Sequence, residues 1–161
     1  DVLLHPSKLS PKQFDTMKKH APIGADILLA LSEKLGRDPW IDTAIQIALG
    51  HHERWDGSGY PQGLSGHEIS IGARIFAIAD TLETLLSPRP WRKAWPLPEV
   101  VAEIHRGSGI LFDPEVVAAF DKLDTTVWIK IRSEFPDKLW KTQASQPVEL
   151  PNSSELSASK N

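Results

Sequence analysis

Apolar residues recur at intervals of three and four along nearly every segment of this chain, and that period constrains the fold more than any single motif. It is clearest between 71 and 86, where Ile71, Ile75, Ile78, Leu82 and Leu85 fall at helical spacing. Ser10-Pro11 supplies an N-cap and a first-turn proline, and Phe14, Met17 and Ala21 follow at the same spacing. Pro22 permits a fresh helix start, after which Ile23, Ile27, Ala30 and Leu31 continue an apolar stripe to about Leu35. Gly36 to Pro39 is a break, and a third helix is predicted over 40–51. Shorter helices are predicted over 98–106 and 113–123, and an amphipathic one over 126–135. No segment alternates with the period of two that a strand requires. The class is all-α, a helical bundle.

The 161 residues suit one domain with a tail. From about Thr142 onward Ser, Gln, Pro, Glu and Asn replace large apolar residues, so 142–161 is expected to be a disordered tail, with 122–141 as a helical extension before it. A net charge of −3 offers no basic face for long nucleic acid. The apolar runs are too short for a membrane span, and no signal peptide opens the chain. The first residue is Asp1, so a piece of a longer protein is expected. There is no cysteine, so any metal must be held by His, Asp or Glu.

One segment departs from the helical period. Residues 53–66 hold Gly57, Gly59, Pro61, Gly63 and Gly66 and form an irregular loop around Tyr60, the sole tyrosine. His51 and His52 stand just before it. The row Trp40, Ala44, Ile47 leads to His51 and the row Ile41, Ile45, Ala48 leads to His52, so both continue inward-facing rows. Adjacent helical residues point roughly 100° apart, which lets the pair share a cluster; hydrogen-bonded helix-end histidines are the structural alternative. His20, at the junction of the first two helices, reads by itself as a helix C-terminal cap or core residue more readily than as a ligand. Asp80 lies off the apolar face of its helix yet is flanked by Ala77, Ile78, Ala79 and Leu82, which makes a solvated role less comfortable. Arg89, Arg92 and Lys93 in SPRPWRKAW offer donors suited to phosphate, or a solvated basic loop.

Taken in order, LSPKQFDTMKKHAPIGADIL, ALGHHERWDGSGYPQGLSGHEISIGARIFAIAD, SPRPWRKAW and GSGILFDPEVVAAF closely resemble HD-GYP domains, over about residues 1–121. The string HHERWDGSGYP is the distinctive part. The resemblance implies an all-helical bundle of the HD-domain type, missing its first helices, from a bacterial cytoplasmic enzyme. That enzyme would hydrolyse cyclic di-GMP, to pGpG or GMP, with two or three divalent ions, iron or manganese. It implies that His20, His51, His52 and Asp80 match metal ligands and that Gly59, Tyr60, Pro61, Arg89 and Arg92 match substrate-binding positions. Glu83 falls where the family has Asp. The implied chemistry is a metal pair about 3.5–4 Å apart that presents hydroxide to phosphorus.

The family's namesake His-Asp pair is absent: the six histidines are followed by Pro6, Ala21, His52, Glu53, Glu68 and Arg106. The pair is expected upstream, along with a receiver or sensory domain, and the chain alone is expected to have little or no activity and to leave apolar surface uncovered. The competing expectation is an inactive module that senses cyclic di-GMP or docks a protein partner through the GYP loop. A weaker one is a related hydrolase acting on another nucleotide.

Overall fold

The computed structural model describes residues 9–36, 38–88 and 92–124, with single positions at 127, 130 and 134. The expected helix over 126–135 and the expected tail over 142–161 lie almost wholly outside them, as does Arg89.

The helices are α1 (Pro11–Lys18), α2 (His20–Leu35), α3 (Pro39–Gly50), α4 (Ile71–Leu86), α5 (Leu97–Arg106) and α6 (Pro114–Phe120), with a short 3₁₀ turn at Gly66–Glu68. No strand occurs among the described residues, where the nearest approach is an isolated bridge between Ser108 and Phe112. The all-α expectation holds. The chain divides after Lys122, and the six helices named among the described residues precede that point.

Local chemistry explains the boundaries. Ser10 caps α1 reciprocally with Gln13: the Gln13 amide donates to Ser10 Oγ, and the Ser10 amide donates to Gln13 Oε1. Asp38 accepts from the Trp40 amide at 2.8 Å, with Pro39 in the first turn of α3. Asp113 caps α6 by accepting from the Glu115 amide at 2.8 Å. Pro22 lies inside the first turn of α2, which starts at His20, because an early-turn proline lacks only an amide that has no helical partner there.

The core sits among α4, α5 and α6. Val100 and Ile104 are fully buried, with Ala73, Ile78, Leu82, Phe112, Val117 and Phe120 around them. Arg74 of α4 donates to the buried Asp113 at 2.6 Å and to the Ile69 carbonyl at 2.9 Å, which ties α4 to the cap of α6. Removing one member of such a buried pair costs roughly 3–5 kcal/mol, because the other is left unpaired.

Small residues let α3 approach α4: a Cβ on Gly50 would stand 3.1 Å from Ala73 Cβ, and one on Gly72 would stand 3.1 Å from Ile47 Cγ1. Away from this seam the apolar stripes face outward. Ile23, Ile27, Leu31 and Leu35 of α2 are exposed, and so are Ile71 and Ile75 of α4. Trp40 leads the row expected to face inward, yet it is exposed, since it stands in the first turn of α3 beside the cap. Uncovered apolar surface was the expectation from sequence, and it is present among the described residues.

Candidate metal centre

Two helix ends bring three histidines together. At the first, α1 ends at Lys18 and α2 begins at His20. The Met17 carbonyl accepts from Nδ1 of His20 at 2.6 Å. At the second, α3 ends at Gly50 and His51 is its C-cap. The backbone amide of His51 donates to the Ile47 carbonyl at 3.0 Å, and ring Nδ1 lies 3.0 Å from the Ile47 carbonyl and 2.9 Å from that of Ala48. A carbonyl can only accept, so Nδ1 carries the proton in both rings, and in the neutral form each Nε2 presents a lone pair.

Those lone pairs converge. Nε2 of His20 lies 3.2 Å from Nε2 of His51 and 3.1 Å from Nε2 of His52. Nitrogen ligands about 2.1 Å from one ion, at neighbouring coordination positions, stand about 3.0–3.4 Å apart. The cluster therefore fits a divalent cation, and the lone pairs of His20 and His51 need one, or a proton, between them. His52 is half-buried, and burial first, then the fields of His51 and His20, lowers its pKa from an ordinary 6.5 to about 4. It is thus neutral, the form that binds metal, at neutral pH. These three imidazoles form the group of potential metal donors among the described residues.

Asp80, on α4, lines the same cleft as His51 and His52, together with Glu53, Arg54, Ala77, Thr81, Leu111 and Phe112. The cleft measures about 170 Å³. Asp80 also acts on Tyr60: burial, then the Asp80 carboxylate, pushes the Tyr60 hydroxyl up to about 12, with Arg54 opposing. That hydroxyl keeps its proton and is available as a donor.

The glycine loop folds back over the histidines. The Tyr60 amide donates to the His52 carbonyl at 3.1 Å, and the Tyr60 ring lies 4.8 Å from that of His52 at an interplanar angle of 32°. A Cβ on Gly59 would stand 2.4 Å from the Arg54 amide nitrogen and 2.6 Å from the His52 carbonyl oxygen, so only glycine permits this approach. The Tyr60-Pro61 peptide is cis, and Pro61 is exposed.

Glu53 holds the loop in place, and sequence reasoning missed it. It is 4% exposed, and its two carboxylate oxygens accept from the Gln62 amide at 2.7 Å and the Leu64 amide at 3.1 Å. The signal was available: a glycine-rich loop leaves backbone donors that helices and strands would pair, and an adjacent acid is the simplest acceptor.

Arg92 stands apart from the cleft lining. Its guanidinium donates to the carbonyls of Thr84 at 2.6 Å and Leu85 at 3.2 Å, the end of α4, and stacks 5.8 Å from the Trp95 ring. Glu83 accepts from Ser87 Oγ at 2.6 Å.

A family model described as "HD domain" matches residues 2–116. The chain belongs to the HD domain family. Among curated relatives it is 44% identical over 133 residues to a cyclic di-GMP phosphodiesterase of Thermotoga maritima, covering 83% of this chain and 35% of the relative. A cyclic di-GMP phosphodiesterase response regulator of Xanthomonas campestris is 43% identical, over 73% of this chain and 30% of its own length. A 3'3'-cGAMP-specific phosphodiesterase of Vibrio cholerae is 36% identical, over 85% of this chain and 25% of its own length. The chain thus spans about a third or less of the length of these relatives. The resemblance to HD-GYP domains is borne out. No helix among the described residues is long and apolar enough to cross a membrane.

Proposed function

We propose that this chain carries the three-histidine part of a metal centre that hydrolyses a phosphodiester bond of cyclic di-GMP, to pGpG or GMP, in the bacterial cytoplasm. The observation that carries the reading is the convergence of three Nε2 atoms at 3.1 and 3.2 Å in an HD-domain chain. The names of its relatives support the substrate. Imidazole and carboxylate donors suit iron or manganese.

A bound divalent ion supplies a water of lowered pKa and offsets charge on the phosphoryl oxygens. His20, His51 and His52 would hold it, with Asp80 at the same cleft. Carbonyls of Met17, Ile47 and Ala48 fix the orientation of two of the rings, a constraint that raises ligand basicity. The Tyr60 ring shields one side of His52 from water, and its protonated hydroxyl is a hydrogen-bond donor toward an anionic ligand. Gly59 and Pro61 shape the turn that puts Tyr60 there. The arginines that the sequence assigned to substrate, Arg89 and Arg92, stay in the proposal as phosphate contacts of the complete domain, alongside its second or third ion.

Three imidazoles and one carboxylate suffice for one ion, so this chain alone is expected to bind metal and turn over little or no substrate. The 3'3'-cGAMP-specific relative favours a second reading in which the substrate is that hybrid dinucleotide. The deciding experiment measures hydrolysis of both cyclic dinucleotides, with manganese or ferrous iron, by the 161-residue chain and by the full gene product. Turnover of cyclic di-GMP by the full product alone is the expected result. Robust turnover by the short chain overturns its incompleteness. Preference for 3'3'-cGAMP installs the second reading. A metal-loaded full product that binds cyclic di-GMP without hydrolysing it installs the sensing or docking module instead.

A further inference from the structure

Among the described residues that line the cleft, Arg54 is the only one with a permanent positive charge. The carboxylates there are Asp80 and Glu53, and Glu53 is committed to the amides of Gln62 and Leu64. A phosphodiester anion entering the cleft meets the field of Asp80, and a nearby cation offsets that repulsion.

The Arg54 guanidinium has donors in hand. It offers five N–H groups, and its side-chain hydrogen bond among the described residues is a long contact of 3.5 Å to Ser58 Oγ. Its backbone, in contrast, is fixed. The Arg54 carbonyl accepts from the Gly57 amide at 2.8 Å, and the next two amides, of Trp55 and Asp56, donate to Leu111 and Ile110 at 3.2 and 3.0 Å. Gly59 packs directly on the Arg54 amide. A rigid backbone keeps the base of this forked donor at the cleft, and its exposed guanidinium has N–H groups available for a phosphate. Arg92, in contrast, has donors engaged by the carbonyls of Thr84 and Leu85.

Size points the same way. Sites that enclose a whole small ligand run to roughly 300–1,000 Å³. A cleft of about 170 Å³ accommodates a phosphodiester group and leaves the attached nucleosides outside. The group at its rim therefore meets phosphate oxygens before it meets a base.

We propose that Arg54 orients the phosphodiester of a cyclic dinucleotide in this cleft through a charge-assisted contact to its non-bridging oxygens. The inference rests on the reading of the cleft as a phosphodiester site. It is tested by calorimetric titration of the manganese-loaded chain with cyclic di-GMP, comparing the unaltered protein with R54K and R54Q. R54Q is expected to weaken cyclic di-GMP binding at least 10-fold, with R54K in between. R54Q is also expected to make the salt dependence of binding shallower, because a charged contact is the one that screening weakens. Manganese affinity is expected to stay within twofold. Equal cyclic di-GMP affinity in R54Q overturns the inference and leaves the site reading intact. Parallel loss of manganese affinity in R54Q also overturns it, since Arg54 would then support the fold of the cluster. If the unaltered chain holds manganese but does not bind cyclic di-GMP, the same titration on the manganese-loaded full gene product decides: absence of binding there too overturns the site reading, and this inference with it.

Discussion

The C-termini of α3 and α4 present the same physical problem and solve it with different side chains. Each helix ends with carbonyls short of helical amides, although that of Ile47 also accepts from the His51 amide. At α3 the His51 ring donates to Ile47 and Ala48; at α4 the Arg92 guanidinium donates to Thr84 and Leu85. An imidazole that caps through Nδ1 still has Nε2, a lone pair fixed in direction by the cap. A guanidinium has no acceptor at all. The first end can therefore build a metal site while it caps, and the second can only cap or bind anions. The difference teaches that helix-end capping and ligand geometry are one act at α3 and separate acts at α4.

Three measurements break or sharpen this contrast. His51→Ala should have the largest effect, because it removes cap and donor together. Manganese affinity by titration calorimetry should fall on the order of 100-fold, with the denaturation midpoint lower as well. An unchanged metal affinity would show that the cluster does not act as a centre. Arg92→Ala should cost about 1 kcal/mol in urea denaturation, the worth of a lost side-chain cap, and leave manganese affinity alone. Weaker cyclic di-GMP binding at an unchanged midpoint would show instead that Arg92 serves as the proposed phosphate contact more than as a cap.

The smallest effect is on pH. His52 has a folded pKa of about 4 against an ordinary 6.5, so between those values the unfolded chain takes up a proton that the folded chain refuses. Stability of the metal-free chain should fall as pH drops from about 6.5 to 4 and be flat above that window with respect to this group. His52→Gln should flatten that part of the profile, as read from urea midpoints. Half-exposure of the ring keeps the effect modest, and an unaltered profile in His52→Gln would remove His52 as its source.

Much of the fold was legible because its signals are local. The Ile71–Leu86 helix was predicted at its observed bounds from apolar spacing, and Ser10-Pro11 marked a helix start through a cap that acts within three residues. The assignments of His20, His51 and His52 came from the order of motifs, and what the structure adds is their mutual distance. Glu53 was missed because its partners, Gln62 and Leu64, are backbone amides nine and eleven residues away and carry no side-chain signature. Arg54 was passed over because nothing in HHERWDGSGYP distinguishes a solvated arginine from one at a cleft. The Arg74–Asp113 pair spans 39 residues, beyond any periodic pattern.

The sequence alone determined the helical class, most helix starts and the neighbourhood of the site, since spacing, caps and glycine breaks act over a few residues. Only the tertiary structure decided which apolar stripes are covered, and that Nε2 of His20 meets those of His51 and His52. It also decided that the loop from Glu53 to Leu64 is locked by a buried carboxylate. Each of those depends on distances between segments far apart in the chain, which packing sets and local propensity does not.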